Sequence, residues 1–198
     1  MMPRPRKIDA EAALEAALGV FWRKGFEGTS YSDLVAATGV ERPALYAAFG
    51  NKESLFHRAL ELYGASYGNY VWEALEQPNS RQVAMRVLEG AAELSTRFAD
   101  RAGCLGVNGA MAGSDEAEPV QRALIEWRAA GETALQARFE RAKLEDDLPA
   151  EADCAALAAY VLAVAHGMAV QAKAGFSRER LLAVVRQAMT TWPASPTG

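Results

Sequence analysis

Apolar residues recur at helical spacing along most of this 198-residue chain, and they define its predicted elements. Leu14, Leu18 and Trp22 fall on one face of a first helix over about 9–24, which Gly25 ends. The sequence has no β-branched runs with the period of two that a half-buried strand requires. The pattern therefore predicts an all-α protein.

The same spacing predicts about nine helices separated by short turns. The sequence "PNS" at 78–80 marks a turn, and Gly64 and Gly68 weaken the long fourth helix and can bend it. We divide the chain into a three-helix head, residues 1–55, and a helical bundle, residues 56–198. The predicted helices cover about 9–24, 31–38, 43–49, 52–77, 81–99, 105–112, 119–143, 150–174 and 178–192.

The head contains two short helices joined by a tight turn. Ser30 can cap the first of them, with Asp33 three positions later as a short capping box, and Gly39 ends it. Pro43 suits the first turn of the next helix, because its missing N–H costs nothing there. Two short helices in this order predict a helix-turn-helix, in which the second helix enters the DNA major groove. Three-helix units of this kind also occur in proteins that do not bind DNA.

The sequence of this unit, "TSYSDLVAATGVERPALYAAFGNKESLF", resembles the TetR family of bacterial transcription regulators, and the similarity covers about residues 8–60. It implies a homodimeric repressor whose first three helices bind a palindromic DNA operator. It also implies a ligand pocket in the remaining bundle and a dimer interface formed by the last two helices. The matching residues are Thr29, Ser30, Asp33, Gly39, Val40, Leu45, Tyr46, Phe49, Asn51, Lys52 and Glu53.

Two residues depart from the family pattern beside the DNA-reading helix. Glu41 stands where the family usually has Ser or Thr, and Pro43 replaces a small residue. The Glu41 carboxylate can still cap the helix and interact with its dipole, but it would repel a nearby phosphate.

Arg42 is the strongest candidate for reading a base, because its guanidinium matches the O6 and N7 acceptors of guanine. Pro43, Ala44 and Ala47 offer only apolar contact, for example with thymine methyl groups. The tyrosine, hydroxyl and lysine side chains at the helix starts suit phosphate oxygens. The predicted DNA-binding residues are Arg6, Lys7, Thr29, Ser30, Tyr31, Arg42, Pro43, Ala44, Tyr46, Ala47 and Lys52.

The charge distribution modifies this picture, since the net charge of −4 is unfavourable for a DNA-binding protein. Residues 1–60 carry eight Lys or Arg against seven Asp or Glu, whereas residues 61–198 carry thirteen against eighteen. Three of the cations, Arg4, Arg6 and Lys7, lie in one short tail. That tail can follow a phosphate backbone or enter a minor groove, or it can be a disordered, solubilising terminus.

Several classes of protein are not expected from this composition. "MMPRPRK" lacks the apolar segment of a signal peptide, and no run of about 18 uninterrupted apolar residues predicts a membrane span. Two cysteines fit a reducing cytosol, so we expect a cytoplasmic protein that does not associate with a membrane. The sequence shows neither a nucleophile–base pair nor metal-ligand spacing, so we expect no catalysis, metal or cofactor.

The bundle supplies candidates for an effector pocket, which helical proteins build in their interiors. Two polar residues stand out on apolar helices, Asn108 and His166, and each could orient a ligand or be a hydrogen-bonded structural residue. With few buried charges evident, we expect an apolar or aromatic effector. The candidate effector-binding residues are Tyr67, Trp72, Phe98, Cys104, Asn108, Met111, Trp127 and His166.

Cys104 supports an alternative function, because a cysteine at a helix N-terminus can have a lowered pKa and react as a nucleophile. "GCLGVN" resembles a segment of one TetR subgroup, in which some members respond to reactive or metal ligands. The protein would then be a redox or electrophile sensor of the same fold. A small buried hydrophobic residue is the simpler interpretation of Cys104, and a third possibility is an enzyme or carrier with a vestigial head.

The last two predicted helices are apolar on more than one side, so one face covers the chain's own core and a second needs a partner. A two-fold copy of the chain is the simplest partner, and it would space two reading helices about one DNA turn apart. Effector binding is expected to shift the fourth helix, which joins head and bundle. The predicted interface residues are Leu157, Tyr160, Val164, Leu181, Val185 and Met189.

Overall fold

The structure is a computed structural model, which describes residues 9–108 and 117–193. These residues fold into α-helices joined by turns and loops, which confirms the predicted all-α class. A 3₁₀ turn, Met189–Thr191, follows the last α-helix. The helices are α1 Ala10–Lys24, α2 Tyr31–Thr38, α3 Arg42–Phe49, α4 Lys52–Ser66, α5 Tyr70–Ala74, α6 Ser80–Thr96, α7 Leu105–Asn108, α8 Glu118–Leu144, α9 Cys154–Lys173 and α10 Arg178–Ala188.

Local signals determine the helix boundaries of the head. The Ser30 hydroxyl accepts a hydrogen bond from the Asp33 N–H at 3.1 Å, and Asp33 accepts one from the Ser30 N–H at 3.0 Å, which confirms the capping box. Gly39 ends α2 in the left-handed conformation, with φ 66°, where a side chain would be strained. Leu45 and Phe49 are buried beneath α3, so that helix turns its opposite side outward.

The predicted fourth helix is not continuous, and its extension to residue 77 was wrong. It breaks after Ser66 into α4 and α5, and the Gly68 N–H bonds to the Tyr63 carbonyl, five residues back, at 2.8 Å. The Trp127 indole of α8 occupies the space beside this break. A Cβ built on Gly68 would lie 2.8 Å from Trp127 Cζ2, and one on Gly64 would lie 3.1 Å from its Nε1. The two glycines therefore allow the indole to approach the backbone closely, in addition to weakening the helix.

The bundle has its own core, in which α6 packs against α9 and α9 against α8. By length and composition α9 could cross a membrane, with a mean hydropathy of 1.6. One side of α9 is instead buried in the core of this bundle, where it contributes Ala158, Val161, Ala165 and Met168. Its apolar character therefore has a structural explanation within the fold.

The head has a second core, which continues into the bundle. Phe56 and Tyr63 of α4 are fully buried in it, together with Leu105 of α7 and Leu124 of α8. Because α4 contributes to the packing of the head and also contacts α8, it connects both parts of the molecule.

The last two predicted helices have boundaries that differ from the structure. The eighth predicted helix starts at Cys154 rather than near 150, because the Asp153 side chain caps it through the Ala156 N–H at 2.9 Å. The last one ends at Ala188 and continues as the 3₁₀ turn. The short helix predicted over 105–112 is present as α7, and its predicted end lies outside the described residues.

The glycine contact generates a test of stability. Gly68→Ala is expected to lower the free energy of unfolding by about 1–3 kcal/mol, because the added methyl group would overlap the Trp127 ring. Gly131→Ala in α8 is the control, since its Cβ would meet only Val71 Cγ1 at 3.9 Å. That variant should be neutral or more stable by about 0.5–1 kcal/mol. Equal unfolding free energies for the two variants in urea denaturation would contradict the proposed contact.

Candidate nucleic-acid interface

The outward side of α3 carries residues predicted to contact DNA. Arg42, Pro43, Tyr46 and Ala47 are all exposed, and their spacing of three and four places them on one helical face. Ala44 is partly buried. The helix therefore presents one cation, one phenol and small apolar groups to solvent.

A tyrosine hydroxyl joins three helices beneath this face. The Tyr46 hydroxyl donates to the Tyr31 hydroxyl at 2.7 Å, and the Lys52 backbone N–H donates to the same Tyr31 oxygen at 3.1 Å. The two rings stack with centroids 5.3 Å apart. Burial is the main reason that the Tyr31 pKa is raised, so the phenol stays protonated. Tyr31 of α2 thus positions both α3 and the first residue of α4.

Arg42 lies over this tyrosine pair. Its guanidinium carbon is 4.0 Å from the Tyr31 ring centroid, and its Nη2 donates to the Tyr46 hydroxyl at 3.2 Å. That bond from Arg42 is the main reason that the Tyr46 pKa is lowered. An exposed cation–π contact is worth only about 0.5–1 kcal/mol. A bidentate guanine contact is worth about 1–3 kcal/mol, so Arg42 can leave the ring to read a base.

Two predicted phosphate contacts are already engaged within the protein. The Thr29 side chain is 1% exposed, and its hydroxyl donates to the Gly25 carbonyl at 2.6 Å. Thr29 therefore closes the α1–α2 turn, and its predicted contact with DNA was wrong. The Ser30 hydroxyl is exposed but donates to Asp33 at 2.8 Å as part of the cap. The Lys24 ammonium, 2.6 Å from Asp33, is the main reason that the pKa of this carboxyl is lowered.

A surface groove lies where the starts of α2 and α4 converge. It has a volume of about 450 Å³, and Lys52 stands at its edge with its ammonium 4.4 Å from the Phe26 ring centroid. Two helix N-termini and a lysine make a suitable environment for a phosphate. The lining residues are Phe26, Thr29, Ser30, Tyr31, Asn51, Lys52 and Glu53.

Other predictions for the head have different outcomes. Glu41 precedes α3, but its side chain makes no capping hydrogen bond, so the expected carboxylate cap was wrong. The backbone of Glu41 instead accepts from Ala44 and Leu45. Arg6 and Lys7 lie outside the described residues.

The structure brings together four of the eight residues proposed for an effector. Trp72, Cys104, Trp127 and His166 line one cavity of about 180 Å³ between α5, α7, α8 and α9. Tyr70 and Arg128 line the same cavity but were not among the predicted effector-binding residues. For Arg128, the one available signal was its position next to Trp127 in the sequence of the same helix.

Three other candidates lie away from that cavity. Phe98 and Tyr67 both pack against the ring of Trp22. The Tyr67 hydroxyl also donates to the Glu15 carboxylate at 2.6 Å. The Asn108 amide donates to the Trp22 carbonyl at 3.2 Å, which gives it a structural role. Met111 lies outside the described residues.

Cys104 is buried, with 6% of its surface exposed, and the Tyr63 hydroxyl donates to its Sγ at 3.2 Å. Burial raises the pKa of the thiol and outweighs the hydrogen bonds that favour the thiolate. The lowered pKa considered for a helix N-terminus was therefore wrong for this cysteine. Across the described residues, no cluster of three or more His, Cys, Asp or Glu side chains could hold a metal ion.

Three of the predicted dimer residues face inward. Leu181, Val185 and Met189 are buried in the protomer's own core, so the prediction that they contact a partner was wrong. The three residues are four positions apart, on the inward side of α10 and of the 3₁₀ turn that follows it. Val184, next to Val185, is 38% exposed.

The outer face of α9 is instead exposed and apolar. Tyr160 is 40% exposed and Val170 is 53% exposed, while Leu157 and Val164 are partly buried. The small residues between them leave this face flat enough for another helix to approach. The exposed small residues are Ala156, Ala159, Ala163 and Gly167.

Comparison with known proteins places this architecture in one family. The family model described as "Bacterial regulatory proteins, tetR family" matches residues 13–59, which include α2 and α3. The HTH-type transcriptional repressor ComR of Escherichia coli (strain K12) is 31% identical over 193 residues, 96% of this chain and 91% of ComR. The repressor BdcR of the same organism is 29% identical, over 93% of this chain and 89% of BdcR.

A solved structure agrees over the whole fold as well. A triple cysteine variant of the TetR family transcriptional regulator CifR, complexed with 26-base-pair operator DNA, is 38% identical. The match covers 96% of this chain and 100% of that chain, with a TM-score of 0.91. The reduced form of Escherichia coli NemR, at 22% identity and a TM-score of 0.74, shares the fold. This chain belongs to the TetR family of bacterial transcriptional regulators.

Proposed function

We propose that this TetR-family repressor acts in the cytoplasm as a homodimer, binds a palindromic operator, and is released from DNA by a small effector. The observation that carries the proposal is the exposed face of α3, which Tyr31 attaches to α2 and α4. CifR, a regulator of the same fold, is known in a complex with operator DNA. The described part of this chain offers no arrangement that favours a catalytic function over a regulatory one.

Base reading would fall mainly to Arg42, with apolar contact from Pro43 and Ala47. Lys52 would hold one phosphate, and Tyr46 would donate to another in place of its bond to Tyr31. One such helix can distinguish only a few base pairs. A dimer doubles the number of base pairs read, and it makes the spacing between two α3 helices part of specificity.

The outer face of α9 is the surface we assign to dimerisation. Exposed Tyr160 and Val170 with small residues between them form an apolar strip that a second α9 can cover. Val184 of α10 extends this strip. The residues of α10 that face inward would support the interface from beneath without touching the partner.

The cavity beside Trp127 is the site we assign to the effector. It adjoins the end of α4 through Gly68, just beyond that helix, and adjoins the segment 103–108 through Cys104. That segment is bonded to the head, because Trp22 Nε1 donates to the Gly103 carbonyl at 3.0 Å and Asn108 donates to the Trp22 carbonyl. An effector that moves Trp127 would therefore act on α1 as well as on α4.

A redox or electrophile response at Cys104 is less well supported. The buried thiol has a raised pKa, so little thiolate is present to react at neutral pH. Its position on the wall of the cavity fits a contact with the effector instead.

Arg42→Ala tests how the operator is read. In gel-shift assays with DNA flanking the protein's own gene, the variant should lose base preference at one position of each half-site, by about 1–3 kcal/mol. Lys52→Ala is the comparison, because loss of a phosphate contact should weaken binding to all sequences and reduce the salt dependence. If Arg42→Ala weakens all sequences equally, Arg42 contacts phosphate rather than base.

Tyr31→Phe tests the hydroxyl that joins α2, α3 and α4. It should lower the free energy of unfolding by about 1 kcal/mol, because the Lys52 N–H and the Tyr46 hydroxyl both lose their acceptor. Tyr46→Phe is the matched control and should cost less, since the contact between Tyr31 and Lys52 stays intact. A larger loss in Tyr46→Phe, measured by urea denaturation, would show that Tyr31 does not hold the unit together.

Ala163→Arg tests the dimer face. The residue is exposed in the protomer, so the fold should persist while two buried charges oppose association. Sedimentation should show a monomer with unchanged helical circular dichroism and weakened operator binding. Ala137→Arg on the exposed side of α8 is the control and should remain dimeric. A dimeric Ala163→Arg variant would place the interface elsewhere.

A further inference from the structure

The chemistry of the effector can be inferred from the walls of the cavity beside Trp127. Its volume of about 180 Å³ is small for a ligand site, because such sites commonly measure about 300–1,000 Å³. An engineered apolar cavity of about 150 Å³ holds benzene. The present cavity therefore has room for one aromatic ring and a few further atoms.

The walls are mostly flat and apolar. The Trp127 indole lies in a slot of glycines, since a Cβ on Gly106 would be 2.8 Å from its Cζ3 and one on Gly68 would be 2.8 Å from its Cζ2. Trp72, which is 50% exposed, stands on the cavity wall, and Tyr70 faces the interior. Aromatic rings in such a slot favour a flat ligand, which can stack against them or meet them edge to face.

The electrostatic environment of the cavity is positive. Arg128 lines it and donates from Nη1 to the Gly106 carbonyl at a long 3.4 Å. Burial, followed by the nearby Arg128 charge, lowers the pKa of His166 on the opposite helix. Among the described lining residues there is no Asp or Glu to neutralise this cation. A half-buried arginine beside an uncharged imidazole is suited to receive an anion.

We propose that this cavity binds a single-ring aromatic monoanion, with its ring against Trp127 and its carboxylate at Arg128 beside His166. The inference rests on the proposed function, because it names the class of effector for that same site. It also revises the expectation of a purely apolar effector, since no local pattern indicates that Arg128 of α8 faces inward.

The ring and the carboxylate contribute differently to binding. Stacking and burial of the ring would be shared by any neutral molecule of the same shape, so they give affinity without selecting an anion. The charge-assisted bond to Arg128 is available only to the anion. A hydrogen bond to a charged group corresponds to about tenfold or more in affinity. Benzoate and the neutral isostere benzamide therefore separate the two contributions.

The test titrates the full-length protein with sodium benzoate and with benzamide, using tryptophan fluorescence and calorimetry. The wild-type protein should bind benzoate at least about tenfold more tightly than benzamide. Arg128→Gln should abolish this preference, and Arg128→Lys should retain part of it. Arg122→Gln is the control, because Arg122 lies on the exposed side of the same helix and pairs with Glu118.

Equal affinities in the wild-type protein, no binding of benzoate, or an unchanged preference in Arg128→Gln would each overturn the inference. If Arg128→Gln fails to fold, Arg128→Lys and the comparison of the two ligands in the wild-type protein still decide it. Operator release, measured in parallel, separates the two proposals. Release by neutral ligands alone would refute the anion site but leave the regulatory function intact. Binding of benzoate that depends on Arg128 without any effect on operator affinity would refute the regulatory function alone.

Discussion

The arrangement of this protein depends on the buried indole of Trp22. Trp22 belongs to α1 of the head, yet its Nε1 donates to the Gly103 carbonyl of the bundle. Its ring meets Tyr63 at 4.8 Å and Phe98 at 5.7 Å between centroids, both nearly edge to face. Its own carbonyl accepts from Asn108. The head is therefore fixed to the loop before α7 and to α7 by two hydrogen bonds in opposite directions, and any displacement of that segment must move α1 or break them.

Trp127 holds a corresponding position on the other side of α7. Its indole lies against Gly64 of α4, Gly68 just after that helix and Gly106 of α7, and it also lines the cavity. One side chain thus connects the cavity to both helices that lead to the head. Because glycine has no side chain, the indole packs directly against the backbone at these positions. Close-packed interiors of this kind transmit displacements rather than absorb them. The coupling between effector and head was expected to run through the fourth helix alone. These contacts offer it a second, parallel route through α7 and Trp22.

The parts of the fold that follow from short-range pattern could be predicted from the sequence. The Ser30 capping box and the buried positions Leu45 and Phe49 depend on residues three or four apart. The inward position of Leu181 and Val185 obeys the same rule. It was missed because the residues assigned to a partner were those of the inward stripe, whereas their neighbour Val184 is exposed.

The remaining features depend on contacts between residues that are distant in sequence. Tyr31 and Lys52 are 21 positions apart, and nothing in their local pattern indicates that one hydroxyl joins them. The amphipathic pattern of α8 did not place Arg128 in a cavity, since that position also depends on where α7 and α9 lie. The same holds for Cys104, whose pKa is set by burial rather than by its place before α7.

The size of the regulatory effect limits how the two routes can work. A hundredfold loss of operator affinity requires about 2.7 kcal/mol of difference between the two states. One hydrogen bond such as that from Trp22 to Gly103 contributes about 0.5–1.5 kcal/mol, so breaking it alone in one protomer is not enough. In the proposed dimer each protomer needs to supply only half of the difference. The two bonds at Trp22 together contribute about 1–3 kcal/mol, which can supply that half, and the Trp127 contacts beside α4 would add to it. A cooperative change of the segment 103–108 in both protomers would therefore be sufficient for the proposed release.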